Sequence, residues 1–357
     1  IFSQFVSAHK DVSTDFIRLW TAELDYSKAS TFFGYRTNNI FGIRDAYARN
    51  RSIWEKYQQD AFDGLPVSND GAVAAPAYMK LVRNLVLRTK EAAWAKARTD
   101  RAAFLQTWYA EDTTTGWARF QADMENDLCA RIIEKTFTGA AREYAYASLL
   151  ESEIHSSSIV NLVSIYAVFK GQFPDSRYRQ FFDGPMASIA RKQQLPLTDR
   201  MKFIGNDSSY STWEQVLATV KGKTVLLDMW GTWCGPCREE MNKNGDAIKK
   251  HFKGKNLDYL YIANYDDTNQ EKWKQLIAYF NLEGYHLLAS LKLSKDIMGK
   301  IKGNGYPTYA IIDKDGKVEL SAAGYPMDRE ALIRQIESVL ARSSSASAAE
   351  YHRPDVE

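Results

Sequence analysis

The stretch that most restricts how this chain folds is residues 224–237, Thr-Val-Leu-Leu-Asp-Met-Trp-Gly-Thr-Trp-Cys-Gly-Pro-Cys. Val225, Leu226, Leu227 and Met229 make an apolar run broken only by Asp228, the pattern of a strand buried on both faces in a parallel sheet. Pro236 suits the first turn of a helix, where its missing N–H costs nothing. A strand that hands over to a helix here puts Cys234 at the helix N-terminus, where unsatisfied N–H groups and the helix dipole favour an anion. A thiol so placed ionises more readily than a free one and becomes the attacking member of a pair able to pass between dithiol and disulfide.

The remaining composition removes several other readings. At 357 residues and 45% hydrophobic content the chain is long enough for two ordinary domains, each with its own core. Its 46 basic and 44 acidic residues leave a net charge of +2, which implies neither a nucleic-acid footprint nor an acidic tail. Only three cysteines occur, so the chain is no disulfide framework, and Cys129 has no obvious mate. Cysteine usage leaves the compartment open. The start at Ile1 suggests processing or trimming. No apolar run approaches the roughly 20 residues needed to span a bilayer; the best, 159–169, contains Asn161 and Ser164. The expectation is a soluble chain from which any signal or anchor has been lost.

Up to about residue 191 the pattern is helical. Trp117, Phe120, Met124, Leu128 and Ile132 recur at steps of three and four, the stripe of a one-sided helix. Further helices are expected near 2–25, 76–98, 101–111, 138–170 and 175–191, and Trp94, Trp108, Tyr109, Trp117, Tyr144 and Tyr146 are expected in their core. The pattern changes at Leu195-Pro196. An irregular lead (202–210), a strand to Met229, a helix over 234–252 and a strand over 257–264 follow. Thr268 with Glu271 three residues on is a capping-box signature, ahead of a helix face of Trp273, Leu276, Ile277 and Phe280. Asp315-Gly316 marks a hairpin turn between strands at 308–313 and 317–321, and a last helix opens near Asp328. These boundaries give an α-helical domain over 1–195, an α/β domain over 196–342 and a disordered tail over 343–357.

A Cys-X-X-Cys pair is also half of a zinc site, but zinc needs four ligands and no second pair exists. His9, His155, His251, His286 and His352 are scattered without ligand spacing, so no metal and no cofactor are expected. The basic run 249–255 at a helix end is read as a solvated face. Asp228 sits in an otherwise apolar strand, where burial raises a carboxyl pKa and makes it a proton carrier; a structurally satisfied aspartate is the alternative.

Beyond these single features, the ordered motifs Leu227-Asp228-Met229-Trp230, Trp233-Cys234-Gly235-Pro236-Cys237, Arg238-Glu239-Glu240-Met241, Gly305-Tyr306-Pro307-Thr308 and Ile312-Asp313-Lys314-Asp315-Gly316 resemble the thioredoxin superfamily. Within it they are similar to the TlpA/ResA-like oxidoreductases of bacterial envelopes, over residues 200–342. The resemblance implies a thioredoxin fold behind the helical domain, with Cys234 as nucleophile, Cys237 as resolving thiol and Asp228 helping to deprotonate Cys237. It implies a cis bond before Pro307, the Tyr306 backbone left to pair with substrate, and Glu240 near the active-site cavity. Trp233, Gly235, Pro236 and Tyr306 would border the substrate, with Trp230 half in the core. Two departures stand out. Asn242 replaces a proline often found after Met241, so the helix kink is expected to weaken or shift, and residues 265–293 form an extra helix-containing segment that favours the envelope branch.

The helical half resembles, in layout alone, the segment ahead of the redox domain in some secreted Bacteroidetes-type proteins, which implies a longer parent chain with a β-rich segment upstream. The expected partners are protein thiols or disulfides and an unidentified electron donor, with a membrane involved only through a lost anchor, in the periplasm or envelope. The expected activity is disulfide reduction. An oxidase or isomerase using the same cysteines, and a partner-binding protein whose redox pair is a sensor, are the alternatives.

Overall fold

Helical periodicity in the first half of the sequence becomes a run of helices in the computed structural model, which describes residues 1–110, 113–205, 209–266 and 269–350. They are α1 (Phe2–Ala8), α2 (Thr14–Asn38), α3 (Ile40–Arg49), α4 (Arg51–Phe62), α5 (Pro76–Thr99), α6 (Arg101–Trp108), α7 (Thr113–Ala122), α8 (Asn126–Thr136), α9 (Gly139–His155), α10 (Leu162–Gln172) and α11 (Arg179–Lys192). The chain divides into two compact units, Ile1–Ile154 with Ile159–Met186, and His155–Ser158 with Ala187–Glu357, so the division falls within α11.

Inside the helical unit the expected single stripe is two helices. Asp123 is buried, and its carboxylate accepts from the N–H groups of Asn126 (2.8 Å) and Asp127 (2.9 Å), which starts α8 afresh. Met124 falls in the break and is exposed, while Phe120, Leu128 and Ile132 are buried on either side. The expected helix over 138–170 is likewise broken between α9 and α10, where Ser157 and Asn161 take positive φ. Of the aromatic residues expected in the core, Tyr109, Tyr144 and Tyr146 are buried. The tryptophans are half-buried instead, with Lys90 over Trp94, Lys135 over Trp108 and Arg101 over Trp117.

Alternation of strand and helix builds the second unit. Strands β1 (Met201–Gly205), β2 (Val225–Trp230), β3 (Asp258–Asn264), β4 (Gly284–Ala289), β5 (Thr308–Ile312) and β6 (Val318–Leu320) form one sheet in the order β1-β4-β3-β2-β5-β6. The pairs β1·β4, β4·β3 and β3·β2 are parallel, whereas β2·β5 and β5·β6 are antiparallel. Helices α12 (Trp213–Thr219), α13 (Gly235–Glu240), α14 (Asp246–His251), α15 (Gln270–Tyr279), α16 (Leu291–Ile301) and α17 (Arg329–Glu350) complete it.

The two-residue period of β2 sorts its side chains between two cores. Val225, Leu227 and Met229 pack with Leu260, Ile262, Leu293, Ile297 and Ala310 on one face. Leu226 packs with Ile248, Phe252, Tyr309, Leu332 and Ile336 on the other. Asp228, two residues from Leu226, shares that second face.

Three local expectations change. The lead expected to be irregular begins as β1, because Met201 pairs with Gly284 of β4 and Phe203 packs edge-on against Trp273 (5.3 Å between centroids), contacts 70 or more residues apart. Thr268 lies outside the described residues, and α15 is capped by Asn269, whose side chain accepts from the Lys272 N–H (3.3 Å). The last helix continues to Glu350, into the stretch expected to be disordered; residues 351–357 lie outside the described residues.

Candidate active site

The turn after β2 delivers the two cysteines. Cys234 is the N-cap of α13 and is joined to Cys237 as a disulfide; its Sγ accepts from the Cys237 N–H (3.1 Å). Gly235 and Pro236, both half-buried, make the first turn, as the missing proline N–H allows. Cys234 is 3% exposed and Cys237 is fully covered, so the sulfur expected to be the more open one is so by a small margin.

At Asn242, where a proline is often found after Met241 in the family, the helix is interrupted by a π-helical turn, Met241–Gly245, between α13 and α14. A π-turn widens the helix by one residue per turn and displaces the side chains on either side of it. Asn244, within that turn, donates to Glu240, and the Met327 N–H donates to the other Glu240 oxygen (3.0 Å). Glu240 is therefore a buried, bonded carboxylate at 2% exposure, not a surface helix residue.

Beneath this turn lies a cavity of about 40 Å3 lined by Asp228, Glu240, Lys249, Tyr259, Tyr261 and Tyr309, among others. That exceeds the roughly 15 Å3 that a water molecule requires. Register explains the company Asp228 keeps, since it is paired with Tyr261 of β3 and Tyr309 of β5. Burial pushes its carboxyl up to about 8, with Lys249 pulling the other way, and its Oδ1 has no protein partner. Lys249, expected on a solvated face, is half-buried and donates to the Asn281 carbonyl. Burial lowers its ammonium to about 8, against the pull of Asp246, Glu283 and Asp228. Phe252 of the same basic run is a core residue.

The opposite border of the cysteines is aromatic. Trp233 is 47% exposed, and its ring stands edge-on to Tyr306 (5.3 Å) and to Tyr265 (5.8 Å). The bond between Tyr306 and Pro307 is cis, as expected; a second, between Tyr325 and Pro326, was not anticipated. Trp230 is completely buried and takes no part in the patch.

Sequence reasoning missed the loop after β3. Parallel pairing sets Trp230 beside Ala263, so this loop emerges next to the cysteine loop. Asp266 accepts from the Thr232 N–H (2.9 Å) and its hydroxyl, and Arg238 donates to the Thr232 carbonyl. The Asn264 carbonyl accepts from the Trp233 indole (3.0 Å), and its amide donates to the Tyr306 hydroxyl (2.7 Å). One signal was available: adjacent parallel strands place their C-terminal loops at a common site. Cys129, in the helical unit, is buried, and burial pushes its thiol up to about 12.

A parallel-centred sheet with a disulfide at a helix N-terminus, a buried carboxyl in the preceding strand and a cis-proline loop beside it defines a dithiol–disulfide protein of α/β class. The Redoxin family matches residues 212–334. Thiol-disulfide oxidoreductase ResA of Bacillus cereus is 33% identical over 102 residues, 29% of this chain and 56% of that protein. Thioredoxin-like protein YneN of Bacillus subtilis is 30% identical over 141 residues, 39% of this chain and 75% of that protein. The chain thus spans a little over half the length of the ResA relatives it matches. Among solved structures, the thioredoxin domain of a thiol-disulfide oxidoreductase from Bacteroides vulgatus is 25% identical, with 35% of this chain and 84% of that chain covered and a TM-score of 0.29. The chain belongs to the thioredoxin superfamily, with ResA- and YneN-type proteins among its relatives.

Proposed function

We propose that the chain is a thiol-disulfide oxidoreductase that reduces disulfides of protein substrates in the bacterial cell envelope. The observation that carries this reading is the Cys234–Cys237 disulfide with Cys234 as helix N-cap, backed by the buried carboxyl of Asp228. ResA relatives bear the name thiol-disulfide oxidoreductase, which supports the activity. No helix among the described residues is long and apolar enough to cross a membrane.

In the reduced protein the Cys234 thiolate, favoured by the N–H groups of the first helical turn, attacks one sulfur of a substrate disulfide. A Cys234–substrate bond forms, the substrate S–S bond breaks, and the departing sulfur leaves as a thiolate that takes a proton. Cys237 then passes its proton to the fraction of Asp228 that is ionised, a fraction that grows as pH approaches 8, and attacks the Cys234 sulfur. The Cys234–Cys237 disulfide closes, the second substrate thiol departs, and two electrons have moved from protein to substrate. A donor dithiol reverses this in the enzyme. Tyr306 and Pro307 offer the backbone edge on which an extended substrate strand lies, beside Trp233, and Glu240 holds Met327 against the π-turn behind the cysteines.

The test is trapping. A Cys237→Ser chain, reduced and mixed with envelope proteins, is expected to accumulate mixed disulfides through Cys234 that mass spectrometry identifies. No adduct, together with alkylation of Cys234 no faster than a free thiol at neutral pH, would refute the proposal.

A further inference from the structure

Asn264 and Tyr265 carry no role in the chemistry above, yet they organise everything aromatic beside it. The Asn264 carbonyl holds the Trp233 indole N–H at 3.0 Å, and its side-chain amide holds the Tyr306 hydroxyl at 2.7 Å. Asn264 is itself 1% exposed, at the end of β3, so both bonds are anchored to the sheet. Tyr265 follows with φ of +58°, a left-handed conformation that L-residues adopt at a cost, and its ring stands edge-on to Trp233 at 5.8 Å. Tyr265 is 57% exposed and Trp233 47%, so the strained turn holds an aromatic ring in water rather than in a core.

Two polar groups of the inner wall are held by Asn264. The Trp233 indole N–H donates to the Asn264 carbonyl and the Tyr306 hydroxyl accepts from the Asn264 amide, which leaves the exposed ring faces of Trp233 and Tyr265 as apolar surface beside the cysteine loop. The wall is continuous with Cys234 on one side and with the Tyr306–Pro307 edge on the other. An occupant must therefore bring a disulfide sulfur to Cys234 while laying something apolar across Trp233 and Tyr265.

We infer that Trp233, Tyr265 and Tyr306, fixed by Asn264, form a specificity wall that selects polypeptide disulfides carrying an aromatic or large aliphatic side chain next to the attacked cysteine. The inference rests on the oxidoreductase reading and names its substrate class. Asn264 is a positioning residue in it; Tyr265 is the contact. Aromatic rings attract another aromatic side chain by more than the burial of its area alone.

The test uses the full chain, reduced with dithiothreitol and then freed of it, in single turnovers with two short peptides. Each peptide is closed by one disulfide, and they differ only at the residue beside the first cysteine, phenylalanine or serine. Reduction is followed by mass spectrometry as peptide concentration is varied. The unmodified chain is expected to prefer the phenylalanine peptide by roughly tenfold, expressed in the half-saturating concentration rather than in the maximal rate. Tyr265→Ala is expected to bring the preference to about twofold or less, Tyr265→Phe to keep it, and Tyr306→Phe, which deletes only the hydroxyl held by Asn264, to fall between. An unmodified chain without preference, or an undiminished preference in Tyr265→Ala, overturns the inference while leaving the redox reading intact. Failure to reduce either peptide, with no adduct trapped by Cys237→Ser, overturns both.

Discussion

Replacing Asp228 with asparagine is expected to stabilise the second unit, by an amount that depends on pH in a calculable way. The amide matches the carboxylic acid in shape, so packing against Tyr261 and Tyr309 is held constant while the titration is removed. Burial raises the carboxyl from 3.8 to about 8. Between those values the folded chain keeps a proton that the unfolded chain has released. The contribution of Asp228 to stability therefore falls as pH rises from about 4 to about 8, and is level outside that window. Each unit is worth about 1.4 kcal/mol, so the cost at pH 7 is on the order of 4 kcal/mol. Lys249 contributes a separate cost that is present in full at that pH, because Asp228 is then largely neutral and offers the ammonium only a weak partner. Its own lowered value, about 8, also makes its cost fade as pH rises beyond that point. The assay is amide hydrogen exchange by mass spectrometry on the oxidised full chain, reading peptides over 225–230 and 258–264, since local exchange reports the opening energy of this sheet apart from the helical unit. The asparagine variant and the natural chain are expected to protect β2 alike at pH 4 and to diverge progressively up to pH 8. A difference that stays flat with pH would refute the claim that a buried, titrating Asp228 is the cause.

Two further outcomes are expected elsewhere. Glu240→Ala strips the acceptor from the Met327 N–H and from Asn244, and is expected to lower stability by roughly 2 kcal/mol, while Glu240→Gln, which keeps an acceptor, loses less; calorimetry of the full chain measures both, and equal losses would show that packing rather than hydrogen bonding governs the site. Cys129, buried with its thiol pushed up to about 12, is expected to resist N-ethylmaleimide at pH 7.5 until the chain is unfolded in guanidinium, and rapid native labelling would contradict its place in the helical core.

What could be read directly were the features whose physics is local. The apolar run into Trp233-Cys234-Gly235-Pro236-Cys237 dictates a buried strand followed by a helix N-terminus, and that alone places the disulfide. The motif at Tyr306-Pro307 pointed to the cis bond through family resemblance, and the three-to-four spacing gave most of the helices. Local pattern misled where one side chain outweighed periodicity, as when the Asp123 carboxylate recruited the Asn126 and Asp127 N–H groups and split a continuous stripe. It also misled at 202–210, because β1 owes its existence to pairing with β4 and not to its own residues.

The sequence by itself pointed to the cysteine pair, its helix-tip setting and a carboxyl in the apolar strand before it, because each rests on neighbours within a few positions. Only the tertiary structure decided what surrounds them. Parallel pairing of β2 with β3 brings Asn264, Tyr265 and Asp266 against the cysteine loop, over 30 residues away in the chain. Glu240, just ahead of the π-turn, accepts from the Met327 N–H 87 positions on, and the alternation of β2 puts Asp228 in the same cavity as Lys249. Such contacts depend on strand order and register, which no stretch of residues carries within itself.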